Sequence, residues 1–338
     1  MTLNTETNDH RVIGYVLLNR IDVRRANALS GHIAYGFPSV TAFKGLTHAL
    51  TRALYESGEK QLSGVSLRGV MLACHDYEIY GRQDKFKQLR FSQFSSPAST
   101  MTQIGLLRRT KRLPSIVEQA FVDLNVSLVF EIVAQRDLLE DAKSKVEHII
   151  FDFIRKKRVA GGVVQPNFSI NDVEFVEYEN LNDVAYKISD SFILTDAQEL
   201  MRQYLEENPD ENALDAILRL SSRSFSPAKD EEGDIKMKYN PLDKKYRGLG
   251  VMSVGFQGIA PSVASPKFKG STSQNREDTY TQYVESVYGL VNWELPHVLR
   301  INGFLRHSFW VYSEPTKTPD IYLISQPNIS KMYNQDGV

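Results

Sequence analysis

The sequence predicts an α+β fold built around a ferredoxin-like or RRM-like unit. Strand-like and helix-like segments alternate through the first half of the chain in the order βαββαβ, which is the order of that arrangement. A long insertion separates the second strand from the third. We therefore expect a core at residues 1–180 with the insertion at about 81–117, an acidic helical insertion at 181–240, and a C-terminal β/α elaboration at 241–338 packed on the core.

The first elements of this unit follow from the spacing of apolar side chains. Residues 11–23 and 70–79 are typical of strands. Apolar residues recur at helical spacing over 43–54, after the turn signal at 36–39. Residues 121–132 carry apolar side chains at every second position from Val122 to Ile132, with Asp123, Asn125, Ser127 and Glu131 opposite, which predicts a strand with one buried face.

A second helix is predicted over 139–153, where the apolar residues form one stripe. Asp137 is a candidate N-cap because Glu140 follows three residues later, as in a capping box. Cations at 155–158 suit the negative end of the helix dipole, and glycines follow at 161–162. The last strand of the unit is predicted at 173–178.

The composition excludes several classes of protein. With 42% hydrophobic and 24% charged residues, the chain is expected to fold. Cys74 is the only cysteine, which excludes an internal disulfide and a cysteine-based zinc site. No apolar run approaches the roughly 20 residues of a membrane span. Residues 1–11 are polar, so we expect a cytoplasmic protein without a signal peptide.

The net charge of −1 conceals an asymmetric distribution. Residues 1–170 contain 23 Lys and Arg against 16 Asp and Glu, whereas residues 171–338 contain 17 against 25. A basic half can neutralise phosphates, and an acidic half more often faces solvent or a protein partner. Surface charge that only keeps the protein soluble explains the asymmetry equally well.

The insertion is the strongest local signal for function. It carries eight cations against the single acid Asp84, with Phe86, Phe91 and Phe94 among them. RNA recognition combines cations for phosphates with planar side chains on which unpaired bases stack. The alternative is a solvated basic loop whose Phe residues tuck beneath it. The eight cations, all candidate RNA contacts, are Arg82, Lys85, Lys87, Arg90, Arg108, Arg109, Lys111 and Arg112.

The junction between the second helix and the last strand is a second candidate site. Arg155 and Arg158 belong to the basic helix end. Gly161 and Gly162 then allow backbone N–H groups to approach a phosphodiester that side chains would otherwise block. The alternative is an ordinary glycine C-cap with cations that complement the helix dipole.

The third candidate site is the loop between the first strand and the first helix. Free backbone N–H groups at a helix start can bind an anion, and polar or aromatic residues of such a loop can contact bases. The alternative is turn chemistry combined with two core aromatics. The residues concerned are Arg24, Arg25, Asn27, Ser30, Tyr35, Phe37 and Ser39.

The third strand argues against RNA on the surface of the sheet. RRM sheets read RNA through aromatic side chains on an open face. The polar face of 121–132 presents Asp123, Asn125, Ser127 and Glu131 instead. Its two carboxylates would repel phosphates, so we expect RNA at the loops and the insertion.

The sequence gives only weak indications of catalysis. Metal-free RNA cleavage needs a general base near pKa 7, and His32, before the first helix, is the best candidate. Lys44 and His48 share a helix face opposite the apolar stripe, which we expect to meet solvent or a subunit. His75 and Asp76 are expected to form a core pair within a strand. No spacing of metal ligands and no nucleotide-binding loop is present, so we expect no cofactor, no metal and no enzymatic activity.

Three stretches of sequence resemble a known family. The first comprises Arg-Ala-Asn-Ala-Leu-Ser at 25–30, Gly-Phe-Pro-Ser at 36–39, Ala-Phe at 42–43, Gly45 and His-Ala-Leu at 48–50. The second is Ala-Gly-Gly at 160–162, and the third comprises Tyr-Gly-Leu at 288–290, Trp293, Pro-His at 296–297 and Ser-Glu-Pro at 313–315. On these residues the chain resembles the RAMP-superfamily second subunit of the Csy (type I-F) CRISPR surveillance complex, a Cas five-type protein. Tyr35 stands where the family pattern has Trp before Gly-Phe-Pro.

The resemblance implies a non-catalytic subunit that binds the 5′ handle of the CRISPR RNA (crRNA). Such a subunit pairs with the large subunit at the tail of the complex and meets the terminal backbone subunit, and its inserted arm folds over the RNA as a thumb. The candidate thumb is 81–117, and the acidic stretch 172–215 is the candidate partner surface. Contact with target DNA stays open. The alternatives are a RAMP endoribonuclease that processes precursor crRNA through His32, and a protein-only assembly scaffold.

Overall fold

The computed structural model describes residues 10–83, 89–91, 93–95, 108, 118–229, 235–264, 280–313 and 320–333. The helices within these residues are α1 (Val40–Glu56), α2 (Glu140–Lys156), α3 (Leu181–Lys187), α4 (Gln198–Glu207), α5 (Ala213–Ser221), α6 (Pro296–Ile301) and α7 (Ser330–Tyr333). The strands are β1 (Arg11–Asn27), β2 (Ser66–Ile79), β3 (Gly81–Gln83), β4 (Leu89–Phe91), β5 (Gln93–Ser95), β6 (Glu118–Ala134), β7 (Arg158–Val159), β8 (Gly162–Val164), β9 (Val173–Glu177), β10 (Phe192–Asp196), β11 (Ser224–Lys229), β12 (Ile235–Asn240), β13 (Gly250–Gly258), β14 (Val263–Ala264), β15 (Tyr280–Thr281), β16 (Val284–Glu294), β17 (Val311–Tyr312) and β18 (Ile321–Ser325).

One large sheet organises these elements. In the described part of the chain it has twelve strands in the order β17-β18-β13-β16-β10-β2-β6-β1-β8-β7, with β5 paired to β6 and β9 paired to β1. Its strand pairs are antiparallel. Helices combined with a mostly antiparallel sheet confirm the predicted α+β class.

The four strands predicted for the first half are all present and adjacent, in the order β9-β1-β6-β2. Helices α1 and α2 cover one face of these strands, because their apolar stripes and the apolar positions of β1, β2 and β6 share one core. Phe43, Leu50 and Leu54 of α1 are almost fully buried there, as are Val146 and Ile150 of α2.

The two helix starts differ from one another. The hydroxyl of Ser39 accepts the backbone N–H of Thr41 at 3.2 Å, which caps α1. The N-cap predicted at Asp137 is wrong, because α2 begins at Glu140 after Leu139 in extended conformation. Asp137 instead pairs with Arg11, whose Nη2 lies 2.8 Å from the carboxylate.

The second face of the central strands is partly covered by later segments. Tyr15, Leu17 and Val129 are buried there against α3, α6, α7 and the turn around Phe304 and Phe309. Coverage of this face by segments far along the chain could not be read from the alternation of one strand.

The expectation that the polar face of β6 is open is therefore wrong for two of its residues. Ser127 and Glu131 are buried, whereas Asp123 and Asn125 are only partly covered. Glu131 receives two hydrogen bonds from the guanidinium of Arg68, at 2.8 and 2.9 Å, which satisfy its buried carboxylate.

Lys44 corrects a further expectation. Its side chain lies at a position with only 2% exposure, although the helix face opposite the apolar stripe was expected to meet solvent or a subunit. Its Nζ donates to the carbonyl of Arg68 and lies 4.1 Å from the centre of the Tyr312 ring. The C-terminal strand β17 covers this part of α1, while His48 is exposed.

The second half adds strands to the sheet as well as helices. Strand β10 pairs with β2 on one side and β16 on the other. Helices α4 and α5 follow β10, and Asn212 caps α5 by accepting the N–H groups of Leu214 and Asp215 at 2.9 and 3.1 Å. Strands β11 and β12 pair with each other in a separate two-stranded sheet.

The large apolar side chains of the C-terminal segment differ in burial. Trp310 is fully buried, but Tyr283 and Ile301 are exposed. Of the helices in the described residues, none is both long enough and apolar enough to span a membrane.

Candidate nucleic-acid interface

The end of β1 forms a bulge that presents two arginines. Val23 pairs with Leu124 and Ala26 pairs with Val122, so Arg24 and Arg25 together face the single residue Asp123 of β6. A bulge of this kind redirects side chains and increases the local twist. Arg25 has a φ of 57°, a left-handed conformation that few non-glycine residues adopt.

The carboxylate of Asp123 holds both arginines of the bulge. Its Oδ1 accepts the backbone N–H of Arg25 at 2.8 Å, and its Oδ2 accepts Nη1 of Arg24. The hydroxyl of Tyr80 also donates to Oδ2, at 3.4 Å. Burial alone would raise the pKa of Asp123, but these hydrogen bonds outweigh burial and bring the pKa below its ordinary value. Asp123 is therefore ionised at neutral pH.

Arg25 stacks on an aromatic ring at the same place. Its guanidinium carbon lies 4.3 Å from the centre of the Phe121 ring, which is cation–π distance. Tyr80 meets the same ring edge-on, with 6.4 Å between the ring centres. A guanidinium held flat on a ring keeps its outer edge and its opposite face available to a ligand.

The glycine turn after α2 packs directly against this bulge. The backbone N–H of Asn27 donates to the carbonyl of Ala160 at 2.9 Å, and β8 pairs with β1 at Arg24. A Cβ on Gly162 would lie 2.8 Å from the backbone oxygen of Arg24, so only glycine fits there. Gly161 has a φ of 83°, which also favours glycine. The structure thus joins two candidate sites that the sequence predicted separately.

The cations around the glycine turn are exposed. Arg158 donates through Nη1 to the carbonyl of Gly161 at 3.4 Å, so it lies over the turn. Arg155 lies 5.3 Å from the centre of the Phe151 ring on α2. Arg158 therefore adds a positive charge to the surface formed by the bulge and the turn.

The basic insertion starts and ends beside the same bulge. The backbone N–H of Tyr80 donates to the carbonyl of Phe121 at 3.1 Å, and the chain then enters the β3–β4 hairpin. Strand β5 of the insertion pairs with the first residues of β6, where the insertion ends. All three candidate sites therefore meet at one end of the central strands.

Most cations of the insertion lie outside the described residues or side chains. The backbones of Arg82 and Arg90 pair with each other across β3 and β4, and Arg108 is exposed. The predicted contact of this arm with RNA stays a prediction. The insertion cations outside the described residues are Lys85, Lys87, Arg109, Lys111 and Arg112.

Several residues of the loop before α1 have roles in the fold. The ring of Phe37 lies between those of Phe43 and Trp293, with 5.8 and 5.0 Å between ring centres. Phe37 is therefore a core aromatic, which was the alternative to a contact with RNA. The hydroxyl of Ser39, besides capping α1, donates to the carbonyl of Ser253 at 2.7 Å. These two side chains are thus used within the protein.

Three further candidates of the same loop are also engaged or buried. The amide of Asn27 donates to the carbonyl of Leu29 at 3.0 Å, and its oxygen accepts the N–H of Leu29 at 3.1 Å, so both polar atoms stabilise the turn. Ser30 is buried. The hydroxyl of Tyr35 donates to the carbonyl of Tyr80 at 3.4 Å, which ties the loop to the start of the insertion.

The histidines of the sequence analysis separate into two environments. His32 is exposed at the tip of the loop before α1, where the next residue, Ile33, donates its N–H to the Tyr288 hydroxyl at 3.3 Å. His75 has a buried side chain, but the expected pairing with Asp76 is wrong. Its partners are Asp190, at 3.1 Å, and Ser127. Among the described residues, no group of three or more His, Cys, Asp or Glu side chains could hold a metal ion.

No pattern in the sequence marks the residues that organise the bulge. The sequence places Asp123 on a polar sheet face that would repel phosphates, and it gives no functional signal for Phe121 or Tyr80. Their part depends on the register between β1 and β6, which no local signal in the sequence specifies.

Comparison with known proteins identifies the class of protein to which this arrangement belongs. The model of the family CRISPR-associated protein (Cas_Csy2) matches residues 16–324. A similar protein is the CRISPR-associated protein Csy2 of Pseudomonas aeruginosa (strain UCBPP-PA14), which is 25% identical over 327 residues, covering 89% of this chain and 92% of that protein. The class is thus that of CRISPR-associated proteins. The chain belongs to the Csy2 family, which confirms the resemblance, and it is a subunit of the type I-F CRISPR (Csy) complex.

Proposed function

We propose that this subunit binds the 5′ handle of crRNA without catalytic activity, and that the end of β1 with the glycine turn is its RNA cradle. The observation that carries the proposal is the convergence of Arg24, Arg25, Arg158 and the base of the basic insertion at one end of the central strands. Exposed arginines with an aromatic partner match the chemistry of single-stranded RNA, in which phosphates need cations and unpaired bases need planar groups.

We also propose that the central strands form the RRM-like core of a RAMP protein. The antiparallel order β9-β1-β6-β2, with α1 and α2 on one face, supports this arrangement. The insertion would then be the thumb, since it leaves and rejoins the strands beside the cradle. A cytoplasmic location is part of the same proposal.

The protein partners are proposed to be the large subunit and the terminal backbone subunit of the Csy complex. The acidic surface offered to one of them would include the groove between β9 and α3, which is lined by Glu174, Glu177 and Asp183 among others. Acidic surfaces favour encounter with a basic partner patch and define its orientation. Loss of co-purification with these subunits after Asp183→Lys, but not after Lys187→Glu, would support this assignment.

The RNA proposal is tested by binding of crRNA handle to the full chain and to the chain co-purified with its complex. We expect Arg24→Ala/Arg25→Ala to weaken binding by about tenfold or more at physiological salt, and to reduce the slope of log Kd against log salt by about 1.4, since each phosphate contact to a single strand contributes about 0.7. The matched control is Arg52→Ala/Arg202→Ala, which removes two exposed, ion-paired arginines elsewhere. Equal losses in both double variants would mean that only net charge matters.

The absence of catalysis is tested separately. Purified protein is incubated with precursor repeat RNA, with and without EDTA. We expect intact RNA. Site-specific cleavage that disappears in His32→Ala would establish the endoribonuclease alternative. A protein-only scaffold predicts no protection of RNA by the isolated subunit or by its complex with the large subunit.

A further inference from the structure

We propose that Asp123 is a positioning residue for RNA binding, whose negative charge increases affinity for a polyanion by holding Arg24 and Arg25 in place. The inference rests on the proposed function. It deepens that function because it gives a favourable role to an acidic residue. From charge alone, a carboxylate would be expected to weaken binding to RNA.

The two oxygens of the Asp123 carboxylate accept hydrogen bonds from different arginines. Oδ1 accepts the backbone N–H of Arg25 and thereby holds the left-handed residue of the bulge. Oδ2 accepts one guanidinium N–H of Arg24. A guanidinium has five N–H donors, so Arg24 keeps donors for a phosphate after this contact. The side chain of Arg24 is 55% exposed, whereas that of Asp123 is 12% exposed. A ligand would therefore meet the arginine before the acid.

A second bulge in β1 shows what is particular to Asp123. Arg20 also has a left-handed conformation, with a φ of 51°, and its N–H donates to the Ser127 hydroxyl at 2.9 Å. The guanidinium of Arg20 pairs with a different residue, Asp190. At the bulge around Arg20 a hydroxyl holds the backbone and a separate acid holds the side chain. At the bulge of Arg24 and Arg25, one carboxylate does both, so the backbone and the guanidinium are fixed relative to each other.

Two physical effects of Asp123 on RNA affinity have opposite signs. Coulomb repulsion between the carboxylate and phosphates lowers affinity, and partial exposure to solvent screens this repulsion. Preorganisation raises affinity, because two flexible arginines that are already held lose less freedom when RNA binds. The charge-assisted hydrogen bond to Arg24 and the backbone bond to Arg25 favour preorganisation as the larger effect.

The test is the sign of the change in affinity. We expect Asp123→Asn to weaken handle binding by about fivefold and to reduce the salt slope, although the variant removes a negative charge. Asp123→Glu keeps the charge but displaces its oxygens, and we expect it to weaken binding as well. The matched control is Asp190→Asn, which removes an acid paired with Arg20 on the same sheet face and should leave affinity unchanged. Unchanged or tighter binding by Asp123→Asn would overturn the inference.

A double-mutant cycle separates this inference from the proposed function. In the Arg24→Ala/Arg25→Ala background, Asp123→Asn should no longer weaken binding, because only the repulsion between the carboxylate and phosphates is left to remove. If the arginine variant binds RNA normally, the proposed cradle is wrong. If the arginine variant binds weakly but Asp123→Asn does not, only the positioning role is wrong. Thermal unfolding of each variant identifies any loss that arises from misfolding, and Asp123→Glu then carries the test.

Discussion

The imidazole Nε2 of His75 and the hydroxyl oxygen of Ser127 lie 2.8 Å apart, and they join β2 to β6 across the covered face of the sheet. The same hydroxyl accepts the N–H of Arg20, and the other ring nitrogen of His75 lies 3.1 Å from Asp190, just before β10. One imidazole therefore connects the central strands to the segment that extends the sheet. The hydroxyl is fully buried and already bonded, so this Ser-His-Asp arrangement stabilises the fold.

Stability should decline in mild acid because of His75. Burial, followed by the nearby charge of Arg20, lowers the pKa of His75 below its ordinary value, although Asp190 opposes this shift. A depressed histidine pKa means that stability is fully present above the unfolded-state pKa of about 6.5 and is lost as pH falls through the folded-state pKa. We expect His75→Gln to flatten the fall in unfolding free energy between pH 7 and pH 5, measured by denaturant titration. The exposed control His48→Gln should keep the wild-type profile, and identical profiles for all three proteins would contradict this account.

Asp196 should have the opposite pH dependence. Burial raises the pKa of its carboxyl to about 6, although the backbone N–H of Gln198 stabilises the charge from 3.0 Å. A raised folded-state pKa means that stability is fully present below the unfolded-state pKa of about 3.9 and is lost as pH rises through about 6.

Asp196→Asn should therefore gain stability relative to wild type as pH rises from 4 to 7, by about 1 to 3 kcal/mol. Asparagine keeps the oxygen that accepts from Gln198 and removes the charge. Denaturant titrations at several pH values measure the difference. Asp152→Asn, on the exposed surface of α2, is the matched control and should show no such trend. If the difference in unfolding free energy between Asp196→Asn and wild type were the same at every pH, burial would not raise the pKa of Asp196.

The glycine turn should tolerate no side chain at its second position. A Cβ on Gly162 would lie 2.8 Å from Ala26 N and Arg24 O, which are backbone atoms that cannot move independently. We expect Gly162→Ala to lower unfolding free energy by about 1 to 3 kcal/mol and to weaken RNA binding, since the turn must move away from the bulge. Gly45→Ala is the control, because no atom lies within 4 Å of its Cβ and the residue is in α1. It should stabilise the protein by about 0.5 to 1 kcal/mol, and a similar effect of both variants would contradict the packing argument.

The sequence predicted the helices and strands that local periodicity determines. It did not predict the contacts that depend on the pairing of strands far apart in the chain. The apolar residues at every second position of 122–132 and the apolar stripe of 43–54 predicted β6 and α1, because burial of one face imposes these periods. The position of Asp123 opposite the bulge depends on register shifts in β1, which no short pattern records. The glycine turn and the loop after β1 could each be named as candidate sites, but their contact could not be predicted, since the residues of the bulge and of the turn are far apart in the sequence.

The burial of Lys44 also depends on a distant segment that no local pattern indicates, and it leads to a last prediction. Burial lowers the pKa of its ammonium to about 8, more than the nearby carboxylate of Glu131 raises it. The charge is held by the carbonyl of Arg68 and the Tyr312 ring. Because the folded-state pKa lies below the unfolded value of about 10.4, the full stability is present above that value and decreases as pH falls to about 8.

The stability difference between wild type and Lys44→Met should therefore change between pH 8 and pH 10. Wild type should gain about 2 kcal/mol relative to the variant over this range, because deprotonation removes the cost of the buried charge while a methionine side chain does not titrate. Denaturant titration of both proteins in parallel measures this, since tyrosines with raised pKa values titrate equally in each. For Lys156→Met, at an exposed position of α2, the difference in unfolding free energy from wild type should be the same from pH 8 to pH 10. If Lys44→Met also shows a constant difference, the ammonium is solvated in solution and the contact between α1 and β17 is open.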